Sequence, residues 1–376
     1  MKKITIDARM INASGIGTFI KNILKRMILL KSDWHFYILG NPKELLTFNY
    51  LKVNNVTIIK CIAPIYSIKE QIELIRNIPT DTDIMWSPHY NVPVLYKGKL
   101  LVTIHDVFHL AMPQFVNGLH KKLYAKFMFE IVKRKSSKII CVSNFSANEL
   151  KKYIGVDDSK IIVVYAGVDQ DFFKVSIGEL VHNKPYLLYV GNVKPHKNLS
   201  NLIRAFLNIK DKINYDLIIV GKKEGFITPG YLPVPAVKGG AVEVLIEELI
   251  KGNEDRIIFT GYVSDDKLKQ YYKQAKLFIF PSLYEGFGSP PLEALSAGIP
   301  VIASDIPAVK EVCANMVNYF NPYDINDISL TILNNINGKQ KNKYDLNKYD
   351  WNVCVNKYIN LIEQLLEKEN KKDLYV

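Results

Sequence analysis

Long apolar runs are missing from this chain, and no stretch approaches the ~18 residues that a membrane span needs. The first ten residues, MKKITIDARM, meet Asp7 too early to read as a secretory signal. Cysteine is scarce: Cys61, Cys141, Cys313 and Cys354 stand too far apart for a metal or redox spacing and read as reduced, buried residues of a cytosolic protein. Acidic residues are outnumbered, with 37 Asp+Glu against 49 Lys+Arg. The shortfall is local, because residues 1–180 hold 25 basic and 15 acidic side chains and the remainder holds 24 and 22. The first half therefore suits an anionic partner, with solubility as the plain alternative.

What is present is a repeated alternation. At 376 residues the chain exceeds the ~250–300 at which single cores stop growing, so two domains are expected. β-rich runs alternate with helical patterns, which predicts an α/β fold with parallel sheets. KKITIDAR is a strand, and Phe19, Ile20, Ile23, Leu24 and Met27 then recur at the spacing of one buried helical face. HFYILG, VTIIKC, DIMWSP, KLLVTIHD, SKIICVS and IIVVYAG follow as strands. The alternation restarts at PYLLYVG, a helix with Leu199, Leu202, Ile203 and Phe206 on one face, then YDLIIVG, RIIFTGY, KLFIFPS and IPVIASD. Two Rossmann-like domains are expected, 1–180 and 181–352, joined through the featureless stretch near Asp171–Lys184, with a terminal helix over 353–376. Segment 222–240 reads as an inserted loop. Open parallel sheets bind ligands outside the carboxyl ends of their strands, so facing sheets would form a cleft lined by strand-end loops.

One such loop is FPSLYEGFGSPPLEALSAGIPV, with Glu285 and Glu293 separated by glycines and prolines. Ser289 is expected to cap a helix whose first residue is Pro290, with Gly298 and Pro300 ending it. The helix start and the bare amides of Gly286 and Gly288 suit a phosphate. A phosphate held between two carboxylates, each able to accept from hydroxyls, has the outline of a nucleotide sugar.

The E-G-F-G-x-x-x-x-E run after a strand resembles the signature of retaining glycosyltransferases with the GT-B fold, family 4 in particular. DARMINASGIGTFIKNIL, VTIHD, CVSNFSANEL, VYAGVD and YVGNVKPHKNLSNLIRAF fall in the family's order. The resemblance implies that Glu293 accepts from the nucleotide ribose and Glu285 from the transferred sugar. It implies that Lys197 lies against the diphosphate and that His105 faces the sugar from the N-terminal domain. Gly15 and Gly17 would let backbone approach the donor phosphate or the acceptor, and Tyr262 would lie where the base is held. Gly191, Asn192, Gly286, Phe287 and Gly288 would complete the donor site. Asn192 stands where many members carry an arginine, so the second positive charge falls to Lys194, His196 or an unseen group. The resemblance further implies no metal, no cofactor beyond the donor substrate, and a terminal helix packed back on the N-terminal domain. Its donor guess is GDP-mannose, as in surface-polysaccharide mannosyltransferases, with UDP- or dTDP-sugars as alternatives and a glycan or lipid-linked acceptor. No nucleophile is identifiable, which favours a front-face reaction.

Other readings compete. His109 reads as structural or acceptor-side. The DTD triplet at Asp81–Asp83 looks like a metal motif but sits at a solvated strand entrance. Residues 119–138 carry seven basic side chains and one acid around Leu119, Leu123, Tyr124, Phe127, Met128, Ile131 and Val132. That pattern is either a core helix with a basic solvent face or a helix lying on anionic lipid at the inner membrane face. A dinucleotide oxidoreductase is disfavoured, because NASGIG offers only Gly15 and Gly17 of a three-glycine fingerprint. Nucleic-acid binding has only the sequence pI of about 9.2 in its favour.

Overall fold

The computed structural model describes residues 1–116, 118–169, 178–221, 246–338 and 344–370. The expected inserted loop, 222–240, lies outside the described residues, as do 171–177 of the expected linker. The chain divides into two compact units. Unit 1 comprises Met1–Ala111, His120–Gly167 and Tyr349–Val376, and unit 2 comprises Met112–Leu119 and Val168–Lys348.

Unit 1 is built on seven strands: β1 (Lys3–Asp7), β2 (His35–Gly40), β3 (Val56–Lys60), β4 (Ile84–Ser87), β5 (Leu100–Ile104), β6 (Lys138–Cys141) and β7 (Ile161–Val163). They run parallel in the order β3-β2-β1-β4-β5-β6-β7, with Ile4 of β1 opposite both Phe36 and Ile84. Unit 2 has β8 (Tyr186–Val190), β9 (Asp216–Val220), β10 (Ile257–Gly261), β11 (Leu277–Phe280), β12 (Val301–Ser304) and β13 (Asn318–Phe320). Their order is β10-β9-β8-β11-β12-β13, again parallel. Strands such as LLVTI, DLIIV and LFIF are buried throughout, as expected where helices cover both faces of a parallel sheet. Every strand expected from the sequence is present; β13 was not anticipated, because three residues with a single buried Phe320 carry no readable period.

In each sheet the strand order reverses once, between β1 and β4 in unit 1 and between β8 and β11 in unit 2. The crevice outside the carboxyl ends at such a reversal is where open α/β sheets place ligands.

The helix Ser14–Leu30 buries Phe19, Ile20, Ile23, Leu24 and Met27, as the spacing predicts. The last helix, Trp351–Asn370, lies in unit 1 and packs on it. Trp351 and Tyr358 stand edge-on to Phe19 with centroids 5.8 and 6.0 Å away, and Tyr358 Oη shares a 2.8 Å hydrogen bond with Thr103 Oγ1. Lys31 Nζ and Lys99 Nζ tie down Glu363 and the Leu365 carbonyl at 2.5 and 2.9 Å.

The DTD triplet fastens the start of β1: Asp83 accepts from the Lys3 amide at 2.7 Å, and Asp81 accepts from Lys3 Nζ and, at 3.2 Å, from Tyr37 Oη. The four cysteines are free and buried, and burial pushes the thiols of Cys141, Cys313 and Cys354 up to about 12. Among the described residues no helix is long and apolar enough to cross a membrane.

The basic segment splits differently from the expected stripe. The helix Leu119–Lys135 buries Ala125, Met128, Phe129 and Val132, while Leu119, Leu123 and Phe127 are 71%, 58% and 51% exposed. Lys133, Lys135 and Lys138 bond to backbone carbonyls of Ile154, Tyr96 and Ser159, whereas Lys121, Lys126 and Arg134 are exposed.

Candidate active site

In unit 2 the loops after β8 and β11 flank the reversal of strand order and carry two of the expected site residues, Lys197 and Glu285. Lys197 ends a short 3-10 turn, Pro195–Lys197, and its Nζ lies 2.6 Å from Glu285 Oε1. The two side chains are 22% and 13% exposed, so each remains accessible to solvent and to a ligand. Backbone locks the loops together, since the Leu283 amide donates to the His196 carbonyl at 2.8 Å. Asn198 follows in the left-handed region at φ 58°, its side-chain amide donating to the Pro322 carbonyl at 2.7 Å. That turn starts the helix Leu199–Leu207, whose buried Leu199, Leu202, Ile203 and Phe206 hold the lysine loop to the sheet.

The glutamate loop ends differently from the expectation. The helix spans Ser289–Ser296, so Ser289 is its first residue and not its cap. Gly288 is the cap, at φ 92°, and no side chain caps the helix. A left-handed cap suits glycine, and the chain reverses there without a side chain over the helix amides. Gly298, at φ 77°, ends the run as expected. Phe287 is buried, and Gly286 and Gly288 are buried beside it.

Glu293 sits on the first turns of that helix, half-buried, with its Oε2 accepting from Tyr272 Oη at 2.9 Å. Burial raises its pKa above the ordinary carboxylate range; the Tyr272 hydrogen bond opposes the rise, and Asp169 and Asp265 add to it. The helix is anchored at its far end, where Ser296 Oγ donates to the Asp169 carbonyl at 3.1 Å.

At the ends of β8, β9 and β10 the backbone is closely packed. A Cβ on Gly221 would collide with the Gly191 carbonyl, and the Gly221 amide donates to the Gly261 carbonyl at 3.1 Å. Gly191 was predicted; Gly221 and Gly261 were not, although each closes an apolar strand in the sequence, which is the available signal. Asn192 offers its carbonyl to Tyr189 Oη at 3.2 Å. Tyr262 follows β10 and is 77% exposed.

In unit 1, Gly15 and Gly17 lie in the first turn of the helix Ser14–Leu30. A Cβ on Gly17 would strike the Ile11 carbonyl, whereas one on Gly15 meets nothing within 4 Å. Gly17 is thus needed for packing and Gly15 leaves the helix start uncovered. His105 follows β5, its Nε2 donating to the Pro88 carbonyl at 3.0 Å and its ring edge-on to Phe19 at 4.9 Å. Burial lowers its pKa against the opposing pull of Asp106 and that carbonyl, so it is a neutral imidazole. His109 packs on Tyr90, with ring centroids 5.7 Å apart. The sequence reading missed a charged cluster nearby: Arg9 is bonded to Asp7 and Glu70, and Asn91 to Glu70.

Residues 13–172 match the family model described as Glycosyltransferase Family 4, and residues 171–350 match that described as Glycosyl transferases group 1. O-antigen chain mannosyltransferase B of Escherichia coli is 26% identical over 75% of this chain and 74% of its own length. O-antigen chain mannosyltransferase RfbU of Salmonella typhimurium is 29% identical over 64% of this chain and 61% of its own. Among solved structures, Anabaena HepE in complex with UDP-glucose superposes with a TM-score of 0.71 at 16% identity, covering 99% of this chain and 100% of that one. The two family matches displace the oxidoreductase and nucleic-acid alternatives.

Proposed function

Because the chain belongs to glycosyltransferase family 4, as a retaining hexosyltransferase with the GT-B fold, we propose that it moves mannose from GDP-mannose to a glycan or lipid-linked acceptor during surface-polysaccharide assembly. The two mannosyltransferase relatives support the sugar; the UDP-glucose complex of HepE keeps a uridine donor as the rival.

The observation that carries the site assignment is the Lys197–Glu285 pair at the reversal of the unit 2 sheet. With donor bound, Lys197 turns part of its hydrogen bonding to the diphosphate, a charge-assisted contact of about 1.5–3 kcal/mol. As the C1–O bond to the diphosphate breaks, negative charge grows on the leaving oxygen and the lysine stabilises it further. The acceptor oxygen bonds to C1 on the same face, and its proton passes to the departing phosphate. Glu285 accepts from sugar hydroxyls, Glu293 from the ribose, and the amides from Gly286 to Gly288 face the phosphates.

Docking on anionic lipid would serve a lipid-linked acceptor. The exposed Leu119, Leu123 and Phe127 beside exposed Lys121 and Lys126 support it.

The test is a screen of nucleotide sugars with purified protein, following transfer or hydrolysis and the product's anomer. GDP-mannose turnover with retention is expected, and Glu285→Gln slows it without leaving a covalent sugar on the chain. Exclusive use of a UDP-sugar removes the donor assignment, and a trapped glycosyl-enzyme removes the front-face route.

A further inference from the structure

Glu293 is a half-buried carboxylate in acidic surroundings. Asp169 and Asp265 add to the rise that burial imposes on its pKa, and no basic side chain pairs with it among the described residues. Lys269, on the helix Asp265–Gln274, lies 3.6 Å from Asp169 instead. The group that favours the charged form is a neutral phenol: Tyr272 Oη donates to Glu293 Oε2 at 2.9 Å. A hydrogen bond given to an ionised carboxylate favours ionisation whether or not the donor is itself charged.

The phenol is held firmly. Tyr272 is 0% exposed, and its ring packs on Phe278 of β11 with centroids 5.5 Å apart. Its helix is capped by Ser264, whose hydroxyl accepts from the Lys267 amide at 3.3 Å. The neighbouring Tyr271 carbonyl accepts from Tyr186 Oη of β8 at 2.8 Å. Gln270 and Gln274, on the same helix, accept from the amides of Gly178 and Val181, each at 3.0 Å. Burial, and Glu293 itself, drive the Tyr272 pKa well above the ordinary phenol range, so the proton stays on Oη and the group remains a donor.

A glutamate side chain has several rotatable bonds, and freezing them when a ligand arrives costs affinity. Tyr272 removes part of that cost in the folded state by fixing Oε2. Oε1 takes no hydrogen bond from another described residue and keeps its acceptor capacity. Resting on the reading that Glu293 accepts from the donor's ribose, we propose that Tyr272 is a positioning residue for nucleotide binding: fully buried and out of reach of the donor, it orients Glu293 through Oε2 and leaves Oε1 to the ribose hydroxyls. Two effects follow from its loss. A loosened carboxylate binds more weakly at every pH. A carboxylate deprived of the bond that favours its charge also takes up a proton at higher pH, so binding fails sooner as pH falls.

The experiment measures binding of GDP and of UDP to the full-length protein by calorimetry from about pH 5.5 to about pH 8.5, in the wild type, Tyr272→Phe, Glu293→Gln and the double variant. Tyr272→Phe should weaken the nucleotide that the wild type binds by about tenfold at the alkaline end and by at least about thirtyfold at the acid end. In the Glu293→Gln background the same change should weaken binding by less than about twofold, with this pH dependence gone, because an amide does not titrate. A tyrosine that only braces the fold weakens binding equally in both backgrounds. That result overturns the proposal, as does wild-type affinity in Tyr272→Phe. Independently of any nucleotide, the carboxyl carbon resonance of Glu293, assigned by its disappearance in Glu293→Gln, should titrate at a higher pH in Tyr272→Phe than in the wild type. An unmoved titration overturns the proposal too. If Glu293→Gln binds like the wild type, or neither nucleotide binds, the ribose contact itself is removed and the role given to Tyr272 goes with it, while the carboxyl titration still reads the hydrogen bond alone.

Discussion

Glu293 is held where a negative charge is costly. Because burial raises its pKa, the folded state favours the protonated form, and stability declines as pH climbs from about 4.5 through the raised value. Glu293→Gln should therefore raise the melting temperature at pH 7.5, with the gain vanishing below about pH 4.5, while affinity for the nucleotide falls. Melting curves across pH decide this; a uniform loss of stability would show that Tyr272 needs the carboxylate. Lys197→Ala should lower kcat by roughly 10²–10³ with a smaller change in acceptor KM. Lys197, Glu285 and Glu293 were singled out because each lies in a short loop motif that carries the family resemblance. Arg9 and Glu70 were not, since 61 positions separate them and only the helix after Ser67 brings Glu70 back to β1. His89 and Asn91 carried no spacing signal at all.

At the scale of single elements, the helix Leu119–Lys135 marks where periodicity overreached. Seven apolar residues make a stripe wider than one buried face, so some had to meet solvent. The structure sends Leu119, Leu123 and Phe127 outward and covers Ala125, Met128, Phe129 and Val132. Leu123→Glu and Phe127→Glu should abolish sedimentation with anionic vesicles, change folding stability by no more than about 0.5 kcal/mol, and mimic the release caused by high salt. Persistent binding of either variant would exclude this helix as the contact. The helix at Ser289 makes a different case. A Cβ on Gly288 meets only ordinary van der Waals neighbours, at 3.5 Å from Val309 and 3.7 Å from Phe280, so crowding is not the issue. Its positive φ is, and Gly288→Ala should cost about 1–2 kcal/mol by chemical denaturation.

For the whole molecule, the restart of alternation after residue 180 foretold two sheets, each with a single reversal of strand order. The association of the terminal helix with unit 1 rests on long-range contacts that composition does not encode. Tyr358→Phe should cost about 1 kcal/mol, because Thr103 also holds Trp86 Nε1 at 2.9 Å and loses one of two partners. That helix has a consequence for biosynthesis. Phe19 and Trp86 emerge from the ribosome early, yet the side chains that cover them, Trp351 and Tyr358, are translated after all of unit 2. The first half of the chain completes its packing only after the helix Trp351–Asn370 is made, and a truncation before Trp351 leaves Phe19 and Trp86 without those ring contacts.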